Sequence, residues 1–397
     1  MKIKVGDGRT LFRAVFAGDV CPGEFGGGDP AAVMKPVAGF VRDADLRLVQ
    51  WETPVAERNS PIVKSGPNLN SPEAAIETVA AAGFEVAMLA NNHIGDQGPA
   101  AVLETIEKLH RRGLKTVGAG KDLQSARAPL VETVAGRTVA VFNFAENEFG
   151  GAQPGRPGSA PQDPLRDVAE VRAAAAEYDC VIVALHGGHE YDPFPSPRMV
   201  RYCRAFADAG ARFVFNCHAH CPEGYEIRNG VPIVYCPGNF YFPSDAEETP
   251  LWRRGYLVRC AFGENGAVEL ELLPYGFDCE KVKPLDAADA ARFEAYMRKL
   301  CAPLDDPAAL RRYFEAWSAI HGKYYYKALS LALPPGTDWL AQIDDPVILA
   351  RAMRVRNVFT CESHNDMLKC FFRLVEERRV KEAAESYAEI ESLQQGF

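Results

Sequence analysis

The chain has 397 residues, of which 47% are apolar and 24% are charged, and its formal net charge is −9. That apolar share excludes disorder over most of the chain, and the acidic balance argues against a nucleic-acid binder, which would carry a basic stripe. Eleven cysteines, an odd number spread through apolar runs, predict reduced thiols in a reducing compartment rather than a disulfide framework.

The amino-terminal segment turns polar at once and lacks the apolar core of a signal peptide. No stretch approaches the roughly 18 uninterrupted apolar residues of a membrane-spanning helix. We therefore expect no signal peptide, no membrane span and a cytoplasmic location. The sequence leaves the oligomeric state open.

Short apolar runs alternate with helical patterns through the first two thirds of the chain, which is typical of an α/β fold. The runs predict strands over 11–17, 46–51, 85–90, 138–144, 180–185 and 212–216. Helices are predicted over 72–83, 98–112, 165–178 and 197–209, with a loop rich in glycine and proline over 150–164. Ser71 as N-cap and Pro72 at the first helical position support the first of these helices.

The pattern changes in the last third of the chain. Residues 224–275 alternate between short extended runs and turns, which predicts β-hairpins. From about Pro284 the chain is mostly helical. We therefore expect an α/β domain over 1–280 and a helical carboxy-terminal region over 281–397 that covers the core or the active-site cleft.

Two smaller segments also need an interpretation. Gly26–Gly28 is followed by neither a Lys-Ser/Thr pair nor a helix start, so we interpret it as a loop rather than a phosphate-binding site. The carboxy-terminal aromatic residues Trp317, Tyr324, Tyr325 and Trp339 either belong to the core or line a substrate cleft against the first domain.

Polar residues that can bind a metal recur where the predicted strands end. They are Asp19, Glu52, Asn92, His186, His218 and His220. Because the carboxyl ends of strands form the ligand crevice of an α/β sheet, we expect these side chains to converge. Carboxylates can bridge two divalent cations, while imidazoles and an amide oxygen complete each coordination sphere. On extended backbone, His218 and His220 would point to the same side.

Each of these residues also has an ordinary structural explanation when taken alone. An aspartate after a strand is usually a turn or cap residue, and a histidine there, such as His186, is usually a hydrogen-bonded structural residue. The co-occurrence of all these residues, in order, on consecutive strand ends favours a metal site.

The order of these segments resembles the CapA family, the bacterial capsule and poly-γ-glutamate biosynthesis group of the calcineurin-like metallophosphoesterase superfamily. The similarity covers about residues 10–275. It depends most on Asn91-Asn92-His93 with Asp96-x-Gly98, and on His186-x-Gly188-x-Glu190-Tyr191; Gly18-Asp19, Glu52-Thr53-Pro54, Lys64-x-Gly66-Pro67, His218-x-His220 and Gly238-Asn239-Phe240 add to it. The resemblance implies a four-layer αββα sandwich of two mixed sheets with helices outside.

The resemblance also implies roles for individual residues. It implies metal ligation by Asp19, Glu52, Asn92, His186, His218 and His220. Glu52 would bridge the metals, and His93 would be catalytic, protonating the leaving group or stabilising its charge while a metal-activated hydroxide attacks. Lys64 would bind an anionic substrate, and Glu190 would orient a ligand or contact substrate. The implied cofactors are one or two divalent ions, Mn, Fe or Zn.

The chain departs from the family pattern in three places. It has Gln50-Trp51-Glu52 where members commonly have Asn-Leu-Glu, and Asn216-Cys217-His218-Ala219-His220 where they have Gly-His-His-Pro-His. Cys21 stands where many superfamily phosphatases have a histidine. We therefore expect one weaker metal site, and we expect Cys21 and Cys217 to be buried, inert thiols.

Three functions stay open at this point. Phosphoester hydrolysis comes first, because displacement between metals suits tetrahedral phosphorus. The same chemistry could cleave an amide or γ-glutamyl bond of the poly-γ-glutamate type. The third is a non-catalytic binding protein of capsule, polysaccharide or polyglutamate biosynthesis. The expected partner is an anionic small molecule or polymer, with no nucleic acid and no membrane span.

Overall fold

Two mixed β-sheets form the centre of the molecule in the computed structural model, which describes residues 1–23, 28–243, 249–329 and 345–397. The first sheet has the spatial order β1 (Lys2–Val5), β15 (Val268–Phe277), β14 (Arg254–Gly263), β2 (Thr10–Val20), β3 (Leu46–Trp51), β4 (Val86–Met88) and β5 (Lys115–Val117), with β16 (Val282–Pro284) paired to β15. The second has the order β12 (Tyr225–Arg228), β13 (Val231–Val234), β11 (Phe213–Cys217), β10 (Cys180–His186), β8 (Arg137–Ala145) and β7 (Leu130–Val134). A small sheet pairs β6 (Ala119–Gly120) with β9 (Gly158–Ser159).

The central strands of both sheets run parallel. In the first sheet these are β2 to β5, and in the second they are β8, β10, β11 and β13. They are covered on both faces, which explains why the sequence shows them as nearly continuous apolar runs. The predicted hairpins over 224–275 are the pairs β12–β13 and β14–β15.

The two sheets pack face to face. The ring of Phe16 from β2 contacts the rings of Phe213 and Phe215 from β11, with centroids 4.5 and 5.4 Å apart. Helices α1 (Ala38–Arg42), α2 (Glu77–Ala80) and α3 (Pro99–Arg111) cover the outer face of the first sheet. Helices α5 (Pro164–Glu177) and α6 (Pro197–Asp208) cover the second, and α4 (Leu123–Arg127) lies beside the small sheet. The predicted four-layer αββα sandwich is confirmed.

Helices follow the last described strand. They are α7 (Ala287–Cys301), α8 (Pro307–His321), α9 (Lys323–Leu329), α10 (Pro346–Thr360), α11 (Glu362–Glu376), α12 (Val380–Ala384) and α13 (Tyr387–Gln394). Helices α8 and α10 both begin with Asp-Pro, in which the carboxylates of Asp306 and Asp345 cap free backbone N–H groups. Gly26, Gly27, Trp339 and the rest of 330–344 lie outside the described residues. The domain boundary near residue 280 stays a prediction.

Some elements differ from their predicted bounds. The first predicted strand continues to Val20, so Asp19 lies within β2, where the pairing with β3 shifts register between Ala17 and Asp19. The neighbouring Gly18 is required there, because a Cβ would lie 2.0 Å from the carbonyl oxygen of Gly238. The helix predicted over 72–83 is a 3₁₀ turn, Glu73–Ile76, followed by α2. Further 3₁₀ turns are Pro30–Ala32, Glu264–Gly266 and Ala302–Asp305.

Among the described residues, no helix combines the length and the apolarity needed to cross a bilayer.

Glu146, directly after β8, attaches the carboxy-terminal helices to the α/β core. Ser363 of α11 donates to its carboxylate from the backbone N–H at 3.1 Å and from the hydroxyl at 2.8 Å. The Arg198 guanidinium of α6 pairs with the same carboxylate. Burial alone would raise the pKa of Glu146, but Arg198 and the Ser363 hydroxyl lower it to about 2. The carboxylate is therefore charged in the folded protein.

We expect Glu146→Gln to lower the free energy of unfolding by about 3 kcal/mol at pH 7, because it leaves the largely desolvated, 19% exposed Arg198 cation without its main partner. The pKa of Glu146 is lowered on folding from 4.5 to about 2. Its contribution is therefore complete above pH 4.5 and is lost as the pH falls towards 2. The difference between variant and parent should shrink by more than half at pH 3, measured by urea unfolding. Exposed Glu177→Gln is the control, and an equal loss at both pH values would contradict the assignment.

Candidate metal centre

The six predicted ligands lie together where parallel strands of both sheets end. Asp19 is the last residue but one of β2, Glu52 follows β3 directly, and His186 is the last residue of β10. The loop after β4 carries Asn92, and the segment after β11 carries His218 and His220. All six are buried, from 0% exposure for Asp19 to 7% for Asn92. The predicted convergence of these side chains therefore occurs in the fold.

One nitrogen of His186 is surrounded by three other predicted ligands. Its Nε2 lies 3.2 Å from Glu52 Oε1, 3.0 Å from Asn92 Oδ1 and 3.1 Å from His218 Nδ1. These four side chains come from four strand ends in two sheets. A carboxylate, an amide oxygen and two imidazoles gathered this closely form a donor set that would suit one shared cation.

A second group of ligand atoms adjoins the first. His220 Nδ1 lies 3.6 Å from Asp19 Oδ2, and His220 Nε2 lies 3.8 Å from Glu52 Oε1. In the described chain, three sets of side chains each bring their ligand atoms within 4.8 Å of one another: Glu52, His186 and His218; Asp19, Glu52 and His220; Glu190, His218 and His220. Glu52 belongs to two of these sets, which is the arrangement expected of a bridging ligand.

The chemistry of the donor set fits divalent cations. Asp19 Oδ1, Glu52 Oε2 and His186 Nδ1 are buried and have no hydrogen-bond partner among the described residues. An unpartnered buried polar atom costs about 1–3 kcal/mol, more when it is charged, and a coordinated cation removes that cost. Two carboxylates, an amide oxygen and three imidazoles suit first-row ions such as Mn, Fe or Zn.

The electrostatics of the cluster also favour a cation. Burial lowers the pKa of His186 to about 4, so its imidazole is neutral near pH 7 and can act as a ligand. Burial opposes protonation of His218 and His220 too, but the surrounding carboxylates outweigh it and raise their pKa values. Burial would also raise the pKa of Glu52, but His220 and His186 lower it below its usual range. Burial and the nearby Glu52 charge raise the pKa of Asp19 well above its usual range, so a cation beside both carboxylates would relieve their repulsion.

The backbone around the paired histidines differs from the prediction. Strand β11 ends at Cys217, and His218 and His220 both have positive φ, at 101° and 55°. Their rings therefore converge through a strained turn and not through alternation on an extended strand. Tyr191, with φ of 68°, is a third non-glycine residue in this region with a left-handed backbone. Such strain persists where the surrounding structure holds a residue in place, and it clusters at functional sites.

His93 stands beside the cluster on a loop shaped by Asn91. The Asn91 Oδ1 accepts hydrogen bonds from the N–H groups of His93 and Ile94, at 3.0 and 2.7 Å. His93 Nδ1 lies 2.7 Å from Asp96 Oδ2, and Lys64 Nζ lies 2.5 Å from Asp96 Oδ1. The Lys64 ammonium is therefore held by Asp96, and its role in substrate binding stays a prediction.

Two contacts at the cluster were not predicted from the sequence. Asn239 Oδ1 lies 2.8 Å from His220 Nδ1, and Glu148 Oε1 lies 3.7 Å from His218 Nε2. Asn239 belongs to the Gly238-Asn239-Phe240 motif, which could have given it a role. Glu148 lies in the loop after β8, where no motif marks it.

Of the two cysteines that replace family residues, Cys21 is buried with its pKa raised to about 12. Burial also raises the pKa of Cys217, so both are neutral thiols as predicted.

A cavity of about 670 Å³ adjoins the cluster. From the α/β core it is lined by Asn92, His93, His218 and the predicted substrate contact Glu190. From the carboxy-terminal helices it is lined by Trp317, Tyr324 and Tyr325 among others. Trp317 and Tyr325 are also buried in the core, as one of the two interpretations expected, and the role of the aromatic residues in a substrate cleft stays a prediction.

The αββα sandwich, with carboxylates, an amide and imidazoles at the strand ends of both sheets, has the fold of the calcineurin-like metallophosphoesterase type. Within that class, the sequence model of the family described as "Bacterial capsule synthesis protein PGA_cap" matches residues 13–244. The chain belongs to this family, which confirms the resemblance described above.

Individual relatives show the same similarity. The chain is 28% identical over 265 residues to the "Capsule biosynthesis protein CapA" of Bacillus anthracis, a match that covers 64% of each chain. It is 29% identical over 275 residues to the "PGA biosynthesis protein CapA" of Bacillus subtilis (strain 168), covering 66% of this chain and 71% of that one. The match thus spans less than two thirds of the first relative. The 5'-nucleotidase precursor of Thermus thermophilus aligns with a TM-score of 0.39 and 13% identity, over 75% of this chain and 59% of that one.

Proposed function

We propose that the protein is a metal-dependent hydrolase that cleaves phosphoester bonds at the cluster of Asp19, Glu52, Asn92, His186, His218 and His220. The observation that carries this proposal is the position of Glu52, which belongs to two adjoining sets of ligand atoms and has a buried, unpartnered oxygen. Divalent cations bound there would supply Lewis acidity and activate a water at neutral pH.

His93 supplies the proton in this proposal. The Asp96 carboxylate lies 2.7 Å from Nδ1 and orients the ring, and Lys64 Nζ lies 3.1 Å from the same nitrogen. Lys64 fixes Asp96 in turn. His93 lines the cavity, so its Nε2 can donate a proton to the oxygen of the leaving group. The buried surroundings of the cluster exclude bulk water and strengthen these interactions.

Hydrolysis of an amide or γ-glutamyl bond is the second candidate. The name of the Bacillus subtilis relative, a PGA biosynthesis protein, favours this candidate. The chemistry is also compatible with it, since the same ligands and His93 could act on a carbonyl centre. The third candidate is a non-catalytic binding protein of capsule or polyglutamate biosynthesis, which would keep the cavity and the metal without turnover. The cytoplasmic location stays a prediction for each of the three.

We expect protein purified without chelator to contain near-stoichiometric Mn, Fe or Zn by elemental analysis. It should hydrolyse a generic aryl phosphate, lose that activity on chelation and regain it when the ion is returned. Activity on a γ-glutamyl oligomer alone would select the second candidate, and bound metal without turnover of either substrate would select the third. Absence of metal after supplementation would overturn all the metal-dependent interpretations.

A further inference from the structure

Three cationic side chains of the carboxy-terminal helices line the cavity. Lys323 and Lys327 are four residues apart on α9 and therefore share one helix face, and Arg354 lies on α10. We call these three residues the cationic wall. They lie outside residues 13–244, the part of the chain that the family match covers.

The cationic wall shares the cavity with the carboxylates of Glu148 and Glu190, but its three charges are not in ion pairs within the parts of the chain that the structure describes. Within these parts no carboxylate lies in ion-pair contact with Lys323, Lys327 or Arg354, whereas Lys64 at the same cavity is held by Asp96. The chain as a whole carries a net charge of −9. Unpaired cations on one wall of a cavity raise the local concentration of anions.

Exposed lysines alone do not define a site, but two buried acceptor atoms in the same cavity also lack partners. Asn357 is 3% exposed, and its Oδ1 has no hydrogen-bond partner among the described residues. His189 is 7% exposed, and its Nδ1 is likewise without one. Both residues line the cavity. A ligand there is expected to offer N–H or O–H donors to them, because buried acceptors are rarely left unsatisfied.

Both acceptors are held in place by other contacts. The Nδ2 of Asn357 donates to Glu148 Oε2 at 3.3 Å, and the Nε2 of His189 donates to the carbonyl oxygen of Ser363 at 3.0 Å. Burial lowers the pKa of His189 to about 3, so the ring is neutral and its Nδ1 offers a lone pair. The rings of Trp317 and Tyr324 add flat apolar surface to the same cavity.

We propose that the cationic wall binds a second anionic group of the substrate, remote from the bond cleaved at the metal cluster. The substrate class is a chain with at least two anionic groups, carboxylate or phosphate, joined by a linker that carries N–H or O–H donors for Asn357 and His189. This inference rests on the proposed function and deepens it. The carboxy-terminal helices thereby select the substrate, although they lie outside the family match.

The test measures binding through the fluorescence of Trp317, with Trp317→Phe identifying its share of the signal. The ligands are a γ-linked glutamate tetramer, mannitol 1,6-bisphosphate, whose linker carries hydroxyl donors, and, as an uncharged control, a γ-linked isoglutamine tetramer with capped termini. We expect Lys323→Gln, Lys327→Gln and Arg354→Gln together to weaken binding of at least one anionic ligand about tenfold, since each exposed ion pair contributes less than tenfold by itself. Loss for one ligand alone identifies carboxylate or phosphate as the preferred group.

The matched control removes three other exposed charges that do not line the cavity, by Arg311→Gln, Arg351→Gln and Lys369→Gln together. Equal weakening in this control, parental affinity in the wall variant, or no saturable binding to the parent at millimolar ligand would each overturn the proposal. Because binding and turnover are measured as separate quantities, binding that depends on the wall without any hydrolysis would overturn the proposed function only. If the protein hydrolyses an aryl phosphate but the triple substitution in the cationic wall leaves ligand affinity unchanged, only the proposed role of the wall would be overturned.

Discussion

Replacing Glu52 by glutamine is expected to remove most of the bound metal and all measurable turnover. The substitution keeps the shape of the side chain but removes its negative charge. The carboxylate that carries this charge belongs to two of the sets of clustered ligand atoms. Because carboxylate charge is what a bridging ligand contributes, metal affinity should fall at least about tenfold, the lower end of the effects seen even for residues that only support metal ligands. Elemental analysis after gel filtration measures the metal, and an aryl phosphate assay measures the rate.

The control for this variant is Glu57→Gln, which changes an exposed glutamate in the following loop. It should leave both metal content and rate at the parental values. Circular dichroism and thermal unfolding establish that the Glu52 variant is folded, and Asp19→Asn provides a second variant at the same cluster if it is not. A folded Glu52→Gln protein with full metal content would contradict the assignment of Glu52 as a bridging ligand.

The position of the cluster could be predicted from the sequence because parallel strands convert chain order into spatial neighbourhood. Asp19, Glu52, Asn92 and His186 each fall at or just after the end of an apolar run, and those runs became β2, β3, β4 and β10. The carboxyl ends of such strands face the same crevice. The family motifs then distinguished these residues from ordinary turn residues.

Contacts that depend on side-chain direction or distant packing could not be predicted in this way. The position of Lys64 in a motif indicated an anion-binding residue, which stays a prediction, but the motif did not indicate the ion pair of its ammonium with Asp96. The turn that brings His218 and His220 together depends on positive φ values, which cannot be predicted from the presence of a histidine. Short strands such as β1 and β5 have too few residues for their apolar pattern to be recognised.

The docking of the carboxy-terminal helices was the least predictable feature. Glu146 and Ser363 are 217 positions apart in the chain, yet their side chains share a hydrogen bond. Asn147 and Glu362, 215 positions apart, form a second such contact. No periodicity within either segment specifies its partner, so the sequence allowed both a core cover and a cleft wall. The structure brings these helices to the cavity, where their cations become relevant to substrate choice.

We expect His93→Asn to separate catalysis from metal binding. Asparagine can still donate a hydrogen bond to Asp96 from a position close to that of Nδ1, but it has no counterpart of Nε2. Turnover should therefore fall about 10²–10⁴-fold, the usual contribution of a positioned general acid. Metal content should stay near that of the parent, because His93 is absent from the three sets of clustered ligand atoms found in the described chain.

The leaving group makes this prediction sharper. A leaving oxygen of low pKa needs no proton, so the variant should lose much less activity on p-nitrophenyl phosphate than on an alkyl phosphate. His110→Asn, on the exposed part of α3, is the matched control and should retain the parental rate on both substrates. An equal loss on both substrates would assign His93 to charge stabilisation rather than proton transfer. A parallel loss of metal would place His93 among the ligands and contradict its separate role.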